Sequence, residues 1–183
     1  MSAPPRPTAA ELQTAAGKQI PDVIGPNLRV LLCGINPGLY SAAIGHHFGR
    51  PGNRFWPALY AGGFTPRLFS PYEDGTLLPL GIGITNVVER ASAGENDLTK
   101  AELAAGGEAL RAKVARYRPR CLAVLGVGAY RSAFARPKAV LGPQLEKLGE
   151  TLVWVLPNPS GLNAHYDAAA LAKLFAELRQ ALS

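Results

Sequence analysis

The sequence has few cysteines, no long apolar run and no glycine-rich nucleotide loop. Only two of its 183 residues are cysteine, whereas an iron–sulfur cluster normally needs four cysteine ligands. No apolar stretch approaches the roughly 20 residues that span a bilayer. Neither GxGxxG nor GxxxxGK(S/T) occurs, which excludes the two common phosphate loops. No group of His, Cys and acidic residues has zinc-like spacing. We therefore expect no membrane contact, no metal and no cofactor.

Acidic residues are absent from Ala109 to Leu145, in a chain with a net charge of +6 and a pI near 9.6. The basic residues of this segment are Arg111, Lys113, Arg116, Arg118, Arg120, Arg131, Arg136 and Lys138. Scattered charges usually form a solvated helix face, but an acid-free block of this length also suits a phosphate backbone. Both interpretations stay open, and the net charge favours an anionic partner.

The N-terminal stretch lacks the apolar centre of a signal peptide. Its Pro, Ala and Thr content predicts a flexible arm over residues 1–20, followed by a single domain over residues 21–183. Cys33 and Cys121 each adjoin an apolar run, as buried free thiols do in a reducing compartment. We therefore expect an intracellular protein of the cytoplasm or nucleoid.

Four apolar, β-rich runs recur along the chain: Arg29–Gly34, Gly81–Val87, Cys121–Gly126 and Thr151–Leu156. Each is almost continuously apolar, as in strands covered on both faces. Helical patterns lie between them and after the last. This alternation predicts a three-layer α/β/α fold with a central, mostly parallel four-stranded sheet.

The helices have recognisable ends. Asn53–Ala61 predicts a short helix closed by two glycines, and Thr99 with Glu102 forms a capping box for a helix that runs to about Tyr117. A short helix is predicted over Tyr130–Ala135. Asp167 begins the last one, which carries a leucine stripe with helical spacing.

Two strands end in asparagine–proline loops. Asn36 follows the first strand and precedes Pro37, while Asn158 follows the fourth between two prolines. Ligands of parallel sheets bind at the carboxyl ends of the strands. Each loop alone is compatible with a structural turn. Leu162, at the tip of the second loop, is either folded into the core or exposed as a wedge for a base stack.

Together, the loops resemble the mismatch-specific uracil/thymine-DNA glycosylase family of the uracil-DNA glycosylase superfamily. The motifs that carry this resemblance are GINPGL (34–39), GHHF (45–48), PGNRFW (51–56), GITNVVER (83–90) and LPNPSGL (156–162). The resemblance begins near Asn27, extends to the end of the chain, and implies a uracil-DNA glycosylase-like fold.

The resemblance also implies roles for individual residues. Asn36 would position the attacking water, Phe48 would stack on a base flipped out of the duplex, and Leu162 would fill the gap left behind. The residues that would complete the base pocket are Ile35, Tyr40, Ser41 and Asn158. The further residues expected to contact DNA are Ser160, Gly161 and Asn163. Arg50 and Arg54 are also expected to do so, because they flank the first loop.

The chemistry of an amide limits this mechanism. The Asn36 carbonyl oxygen can orient a water by accepting a hydrogen bond, but it cannot take a proton as a base does. Glu89, Glu95 and Asp97 follow the second strand and could approach the cleft. Glu89 and Asp97 are the candidate auxiliary acids or bases, with helix capping or contact with water as the alternative. His46 and His47 have either pocket or structural roles.

The sequence thus predicts a monomeric, monofunctional glycosylase acting on duplex DNA with G·U or G·T mismatches, without a metal or cofactor. Neither loop contains a lysine for a Schiff base. Two alternatives stay open. One is a catalytically weak mismatch-binding or damage-binding protein on the same fold. The other is a hydrolase of free nucleosides or nucleotides.

Overall fold

The computed structural model describes residues 2–183 and contains one five-stranded sheet. Its strands are β1 (Val30–Gly34), β2 (Ile82–Asn86), β3 (Cys121–Leu125), β4 (Gly142–Leu148) and β5 (Thr151–Leu156), in the spatial order β2-β1-β3-β5-β4. β1, β2, β3 and β5 are parallel. Every residue of β1, β2 and β3 is buried, which explains their continuous hydrophobicity. The mostly parallel α/β/α prediction is confirmed.

The predicted count of four strands is corrected by β4, which pairs antiparallel with β5 at one edge of the sheet. Its residues alternate between half-buried and exposed, and its register shifts between Pro143 and Lys147. An amphipathic edge strand that contains proline lacks the continuous apolar run that marks the buried strands. That difference accounts for its absence from the sequence prediction.

Six α-helices accompany the sheet within residues 2–183: α1 (Ala9–Thr14), α2 (Leu39–Ile44), α3 (Phe55–Ala61), α4 (Lys100–Tyr117), α5 (Val127–Ala133) and α6 (Ala168–Ala181). The predicted caps Thr99 and Asp167 both accept hydrogen bonds from the first turns of their helices. α3 and α5 occupy the predicted places with shifted ends. The sequence prediction did not include α1 and α2, nor the 3₁₀ helices Pro71–Leu80 and Glu95–Asp97.

Two apolar clusters cover the two faces of the sheet. Phe55 and Phe175 bring α3 and α6 against one face, while Leu110 and Tyr130 bring α4 and α5 against the other. Cys33 and Cys121 are free and buried, and burial raises the pKa of both thiols above its usual value. No helix within residues 2–183 is long and apolar enough to cross a membrane.

The segment predicted as a flexible arm carries helix α1. Thr8 and Glu11 form a capping box at its start. Ala15 is buried in a small cluster with Ala42 and Ala91, and the Gly17 N–H donates to the Ala91 carbonyl at 2.9 Å. The arm's backbone therefore follows the domain surface, and the domain boundary at residue 20 stays a prediction.

Candidate functional site

The two asparagine–proline loops line one cleft of about 1220 Å³ at the carboxyl ends of the parallel strands. The sequence-predicted residues that line it are Ile35, Asn36, Ser41, Phe48, Arg50, Asn158, Ser160, Leu162 and Asn163. Those that lie outside its lining are Tyr40, Arg54, Gly161, Glu89 and Asp97. The topology thus brings together residues that are more than 120 positions apart, such as Asn36 and Asn158.

The Asn36 side chain is held by its nitrogen. Nδ2 donates to the Arg90 carbonyl at 3.0 Å and to Ser92 Oγ at 2.8 Å. A carbonyl can only accept, and the Ser92 hydroxyl already donates to the Gly94 carbonyl at 2.8 Å. These partners fix the amide orientation, since an oxygen in place of Nδ2 would face acceptors alone. Among residues 2–183, no donor bonds to Asn36 Oδ1, so this oxygen remains available to a ligand.

The segment that holds Asn36 is itself anchored to α4. The Arg90 guanidinium donates to both Glu102 oxygens, at 2.5 and 3.0 Å, and to the Asp97 carbonyl at 2.8 Å. The hydrogen bond from Arg90, together with one from the Thr99 backbone, lowers the pKa of Glu102 to about 2. The pair therefore stays ionised at neutral pH, and its stabilisation is lost only as the pH falls below the ordinary glutamate value toward 2.

Phe48 forms an aromatic wall of the cleft. Its ring stacks on Phe55, with 4.0 Å between centroids and 17° between planes, so the ring's remaining surface lines the cleft. Gly34 makes this packing possible because a Cβ there would lie 2.6 Å from Asn86 Oδ1 and 3.2 Å from Phe48 Cζ. Ser41 is buried, and its Oγ accepts the Gly49 N–H at 2.9 Å, which closes the loop that carries Phe48.

Asn158 is held by its oxygen. Its Oδ1 accepts the Ser160 N–H at 2.9 Å, while its backbone carbonyl accepts from Asn163 Nδ2 at 3.0 Å. Its Nδ2 lies 3.4 Å from the carboxylate of Glu95. The second loop therefore presents an amide N–H on the cleft wall. Leu162, at the loop tip, is 76% exposed, so of its two predicted placements the structure shows the exposed one.

Arg54, at the start of α3, anchors the second asparagine–proline loop instead of facing solvent. Its Nη1 donates to the carbonyls of Asn163 and Tyr166, at 2.9 and 2.8 Å, and its Nη2 lies 3.5 Å from the Gly161 carbonyl. A Cβ on Gly161 would lie only 2.5 Å from the Gly52 carbonyl oxygen. Only glycine permits this approach of the loops, so Arg54 and Gly161 both act on the shape of the second loop. Arg50 is exposed at the cleft rim.

The predicted auxiliary carboxylates lie away from the cleft. Glu89 pairs with Lys113 at 3.2 Å, and the Asp97 carboxylate accepts the Gly94 N–H at 3.2 Å. Asp97 thus has the capping role that was the alternative to catalysis. The carboxylate that does line the cleft is Glu95, beside Asn158.

The two histidines after α2 have structural contacts. His47 is buried, its Nε2 lies 2.9 Å from the Pro21 carbonyl, and burial lowers its pKa. Since a carbonyl only accepts, His47 carries a proton on Nε2. His46 Nδ1 lies 3.1 Å from Asp74, whose other oxygen accepts the His47 backbone N–H. Asp74 thereby contacts both histidines and holds them in position.

Sequence reasoning missed several polar side chains of the cleft, among them Ser92 and Asn86. Asn86 ends β2, is only 7% exposed, and has no side-chain hydrogen bond within residues 2–183, although it lines the cleft. Since no buried side-chain nitrogen or oxygen in the described part of the chain lacks a partner, the unbonded amide atoms of Asn86 are open to the cleft, where a polar ligand can reach them. Its place at the end of a buried strand, in the segment GITN, was the available signal. Within the described residues there is no group of three or more His, Cys, Asp or Glu that could hold a metal.

Comparisons with known proteins agree with this architecture. The family model of the uracil DNA glycosylase superfamily matches residues 21–183. The fold is similar to a solution NMR structure from Methanosarcina acetivorans, described as that of a candidate uracil DNA glycosylase. The TM-score is 0.54 at 18% identity, over 89% of this chain and 98% of that chain. The chain therefore belongs to the uracil DNA glycosylase superfamily, which implies a hydrolytic DNA glycosylase that acts on uracil.

Proposed function

We propose that the protein is a monofunctional glycosylase that removes uracil mispaired with guanine from duplex DNA, and accepts thymine or etheno pyrimidines in the same pocket. The observation that carries this proposal is the orientation of Asn36. Its nitrogen is fixed by Arg90 and Ser92, and its oxygen is left without a donor in a cleft lined by Phe48.

In the proposed reaction, Asn36 Oδ1 accepts a hydrogen bond from the attacking water and holds it against the anomeric carbon. An amide adds no basicity, so the bond to the base must be largely broken before water attacks. The sugar then resembles a cation, and the departing pyrimidine carries the negative charge. Both electrons of the N-glycosidic bond leave with the base, and the water loses its proton to solvent. The products are the free base and an abasic site.

The departing base would be recognised by the cleft's aromatic and amide groups. Phe48 offers a stacking surface, and Asn86 carries both a donor and an acceptor for the edge of a pyrimidine. The Asn158 N–H is a donor for a carbonyl on which negative charge develops, and such donors are most effective where water is excluded. A thymine methyl or an etheno ring would have to fit among Ile35, Ser41 and Phe48.

Access to the base would depend on Leu162. An exposed leucine at the tip of a rigid loop is costly in water, but it gains contacts when inserted into a base stack. Arg54 and the Gly161–Gly52 contact restrict the loop before DNA arrives, so less entropy is lost on insertion. A G·U pair opens more readily than A·U, which favours action on mismatches.

The decisive experiment uses a labelled duplex with a single U·G pair, excess protein and hot alkali to reveal abasic sites. We expect cleavage at the uracil position, slower cleavage for U·A, and loss of cleavage for Asn36→Ala. Gln180→Ala, which removes an exposed amide on α6, is the matched control and should retain full activity. Binding of U·G DNA without any base release over hours would contradict the proposal and identify a mismatch-binding protein.

A further inference from the structure

A second groove of about 880 Å³ lies at the amino end of the sheet, opposite the cleft. The starts of β3 and β5 form it, together with the turn between β4 and β5 and the ends of α4 and α6. Its cations are Arg111, Arg118, Arg120 and Lys147, and its single carboxylate is Glu150. The groove thus gathers three arginines of the acid-free basic segment and one lysine of β4 on the side of the molecule that the cleft does not use.

Three of these cations lack an acidic partner. Arg118, Arg120 and Lys147 are exposed, and none of them forms a salt bridge within residues 2–183. By contrast, Arg136 contacts Glu146 at 2.5 Å and Lys113 contacts Asp22 at 2.7 Å. Arg116, Arg131 and Lys138 of the basic segment also form no salt bridge within residues 2–183. The groove differs from these scattered charges because it brings three unpaired cations together around one concave surface, which raises its positive potential.

The groove cations project from a fixed backbone. The Arg120 N–H donates to Leu28 and its carbonyl accepts from Leu152, both at 3.0 Å, while Thr151 Oγ donates to the Pro119 carbonyl at 2.7 Å. Arg118 has a φ of 48°, in the left-handed region where glycine is the usual residue after a helix. A favourable interaction of the Arg118 charge with the carboxyl end of α4 partly explains why arginine stands here instead of glycine. It does not account for Arg120 or Lys147, which lie on or beside the strands.

We propose that this groove binds the phosphate backbone of a second segment of duplex DNA while the cleft engages the first. The groove has no aromatic residue in its lining, so it offers no platform on which the bases of a single strand would stack. Unpaired arginine and lysine side chains on a fixed backbone instead suit phosphates of either strand of a duplex, independent of sequence. With surfaces at both ends of the sheet, the protein transfers between duplex segments without passing through the free state.

The test compares two triple variants that lose the same net charge. The groove variant is Arg118→Gly, Arg120→Gln and Lys147→Gln, in which glycine suits the left-handed backbone. The control variant is Lys18→Gln, Lys138→Gln and Lys173→Gln, which removes exposed cations that line neither cavity. Far-ultraviolet circular dichroism and thermal unfolding establish that both variants fold.

The first readout is the salt dependence of binding to an undamaged duplex, which does not require base excision. Each phosphate contact contributes about 0.9 to the slope of log affinity against log salt. The groove variant should lose about 2.7 from the slope if all three charges contact phosphates, and the control variant should keep the wild-type slope. Equal slopes in the two variants, or stronger groove-dependent binding of single-stranded DNA than of duplex, would overturn the proposal.

The second readout is dissociation from a labelled duplex in the presence of unlabelled competitor duplex. The wild-type rate should rise with competitor concentration because the groove captures the second segment before the cleft releases the first. The groove variant should dissociate at a rate independent of competitor. A wild-type rate that does not depend on competitor would contradict transfer through the groove, and this outcome is separate from any failure to excise uracil.

Discussion

The two asparagine–proline loops share a dipeptide and a position at the ends of strands, yet they present opposite ends of the amide to the cleft. Asn36 is held through its nitrogen and leaves its oxygen free, whereas Asn158 is held through its oxygen and turns its nitrogen outward. One loop therefore offers an acceptor, which suits a water, and the other offers a donor, which suits a carbonyl or a leaving anion. The dipeptide places the side chain, and its hydrogen-bond partners decide its chemistry.

The two asparagines also differ in where their hydrogen-bond partners lie along the chain. The partners of Asn36 are 54 and 56 residues away in sequence and come from the segment after β2. Asn158 is held by Ser160, two residues on, within its own loop. The first orientation therefore depends on the assembled sheet and on the Arg90–Glu102 pair, while the second is a local property of the loop.

Removing the first amide should have the largest effect. We expect Asn36→Ala to lower the single-turnover rate on U·G DNA on the order of 10²–10³-fold, a loss typical for a preorganised polar group at a reaction centre. The measurement is base release at saturating enzyme. Asn158→Ala should cost less, because it removes a donor that faces solvent as well as the cleft. Equal losses would contradict the assignment of different roles to the two loops.

Asn36→Asp tests the role of the first loop through the pH dependence of activity. An ionised carboxylate would bring an oxygen to within about 3 Å of the Arg90 carbonyl oxygen, and this repulsion raises the pKa of the new carboxyl. At low pH the neutral acid would donate to Arg90 and act as the amide does. As the pH rises, the ionised form becomes a base, so activity should increase about tenfold with one ionisation above the ordinary aspartate range. A profile parallel to that of the wild type would contradict this geometry.

The anchor of the second loop can be removed at Arg54. We expect Arg54→Met to reduce excision from a U·G duplex about tenfold, because the loop that carries Leu162 loses its three carbonyl contacts. Excision from single-stranded DNA, which needs no wedge, should change much less. Arg50→Met is the matched control: it removes an exposed rim cation and should weaken binding of both substrates. Identical behaviour of the two variants would make Arg54 a simple phosphate contact.

Removing one hydrogen-bond acceptor of the Asn36 amide should have a smaller effect. Ser92→Ala removes one of two acceptors of the Asn36 amide, and a neutral hydrogen bond contributes about 1 kcal/mol. The single-turnover rate should fall about fivefold with little change in affinity for abasic DNA. Ser132→Ala, which also lines the cleft, should leave the rate unchanged. A normal rate for Ser92→Ala would show that the Arg90 carbonyl alone fixes the amide.

Much of the fold is predictable from the sequence because its determinants are local. Continuous apolar runs identify the four parallel strands, and Thr99 with Glu102 marks the start of α4. β4 lacks such a run, since this edge strand is exposed on alternate residues. The helix α2 is short and begins at a glycine without a side-chain cap, so no capping pattern marks it.

The candidate site is predictable only in part, because only some of its determinants are local in sequence. Asn36, Phe48 and Asn158 stand in motifs that a sequence displays, and the structure brings all three to one cleft. The role of Arg54 depends on carbonyls more than 100 residues away. From the sequence, a charged side chain beside a loop is equally compatible with a phosphate contact and with an anchor for another loop. Only the folded chain distinguishes these two roles.

The smallest effect concerns Glu95, the carboxylate beside Asn158. Its Oε2 lies 3.4 Å from Asn158 Nδ2, and Asn158 is also oriented by Ser160, so Glu95→Gln should change the single-turnover rate by less than about twofold. Affinity for abasic duplex should rise at low salt, because an anion near the DNA is removed. Glu89→Gln, which alters a carboxylate outside the cleft, serves as the control. A tenfold loss of rate restricted to Glu95→Gln would identify a general base in the second half of the cleft. The reaction would then depend on a carboxylate as well as on the oxygen that Asn36 presents.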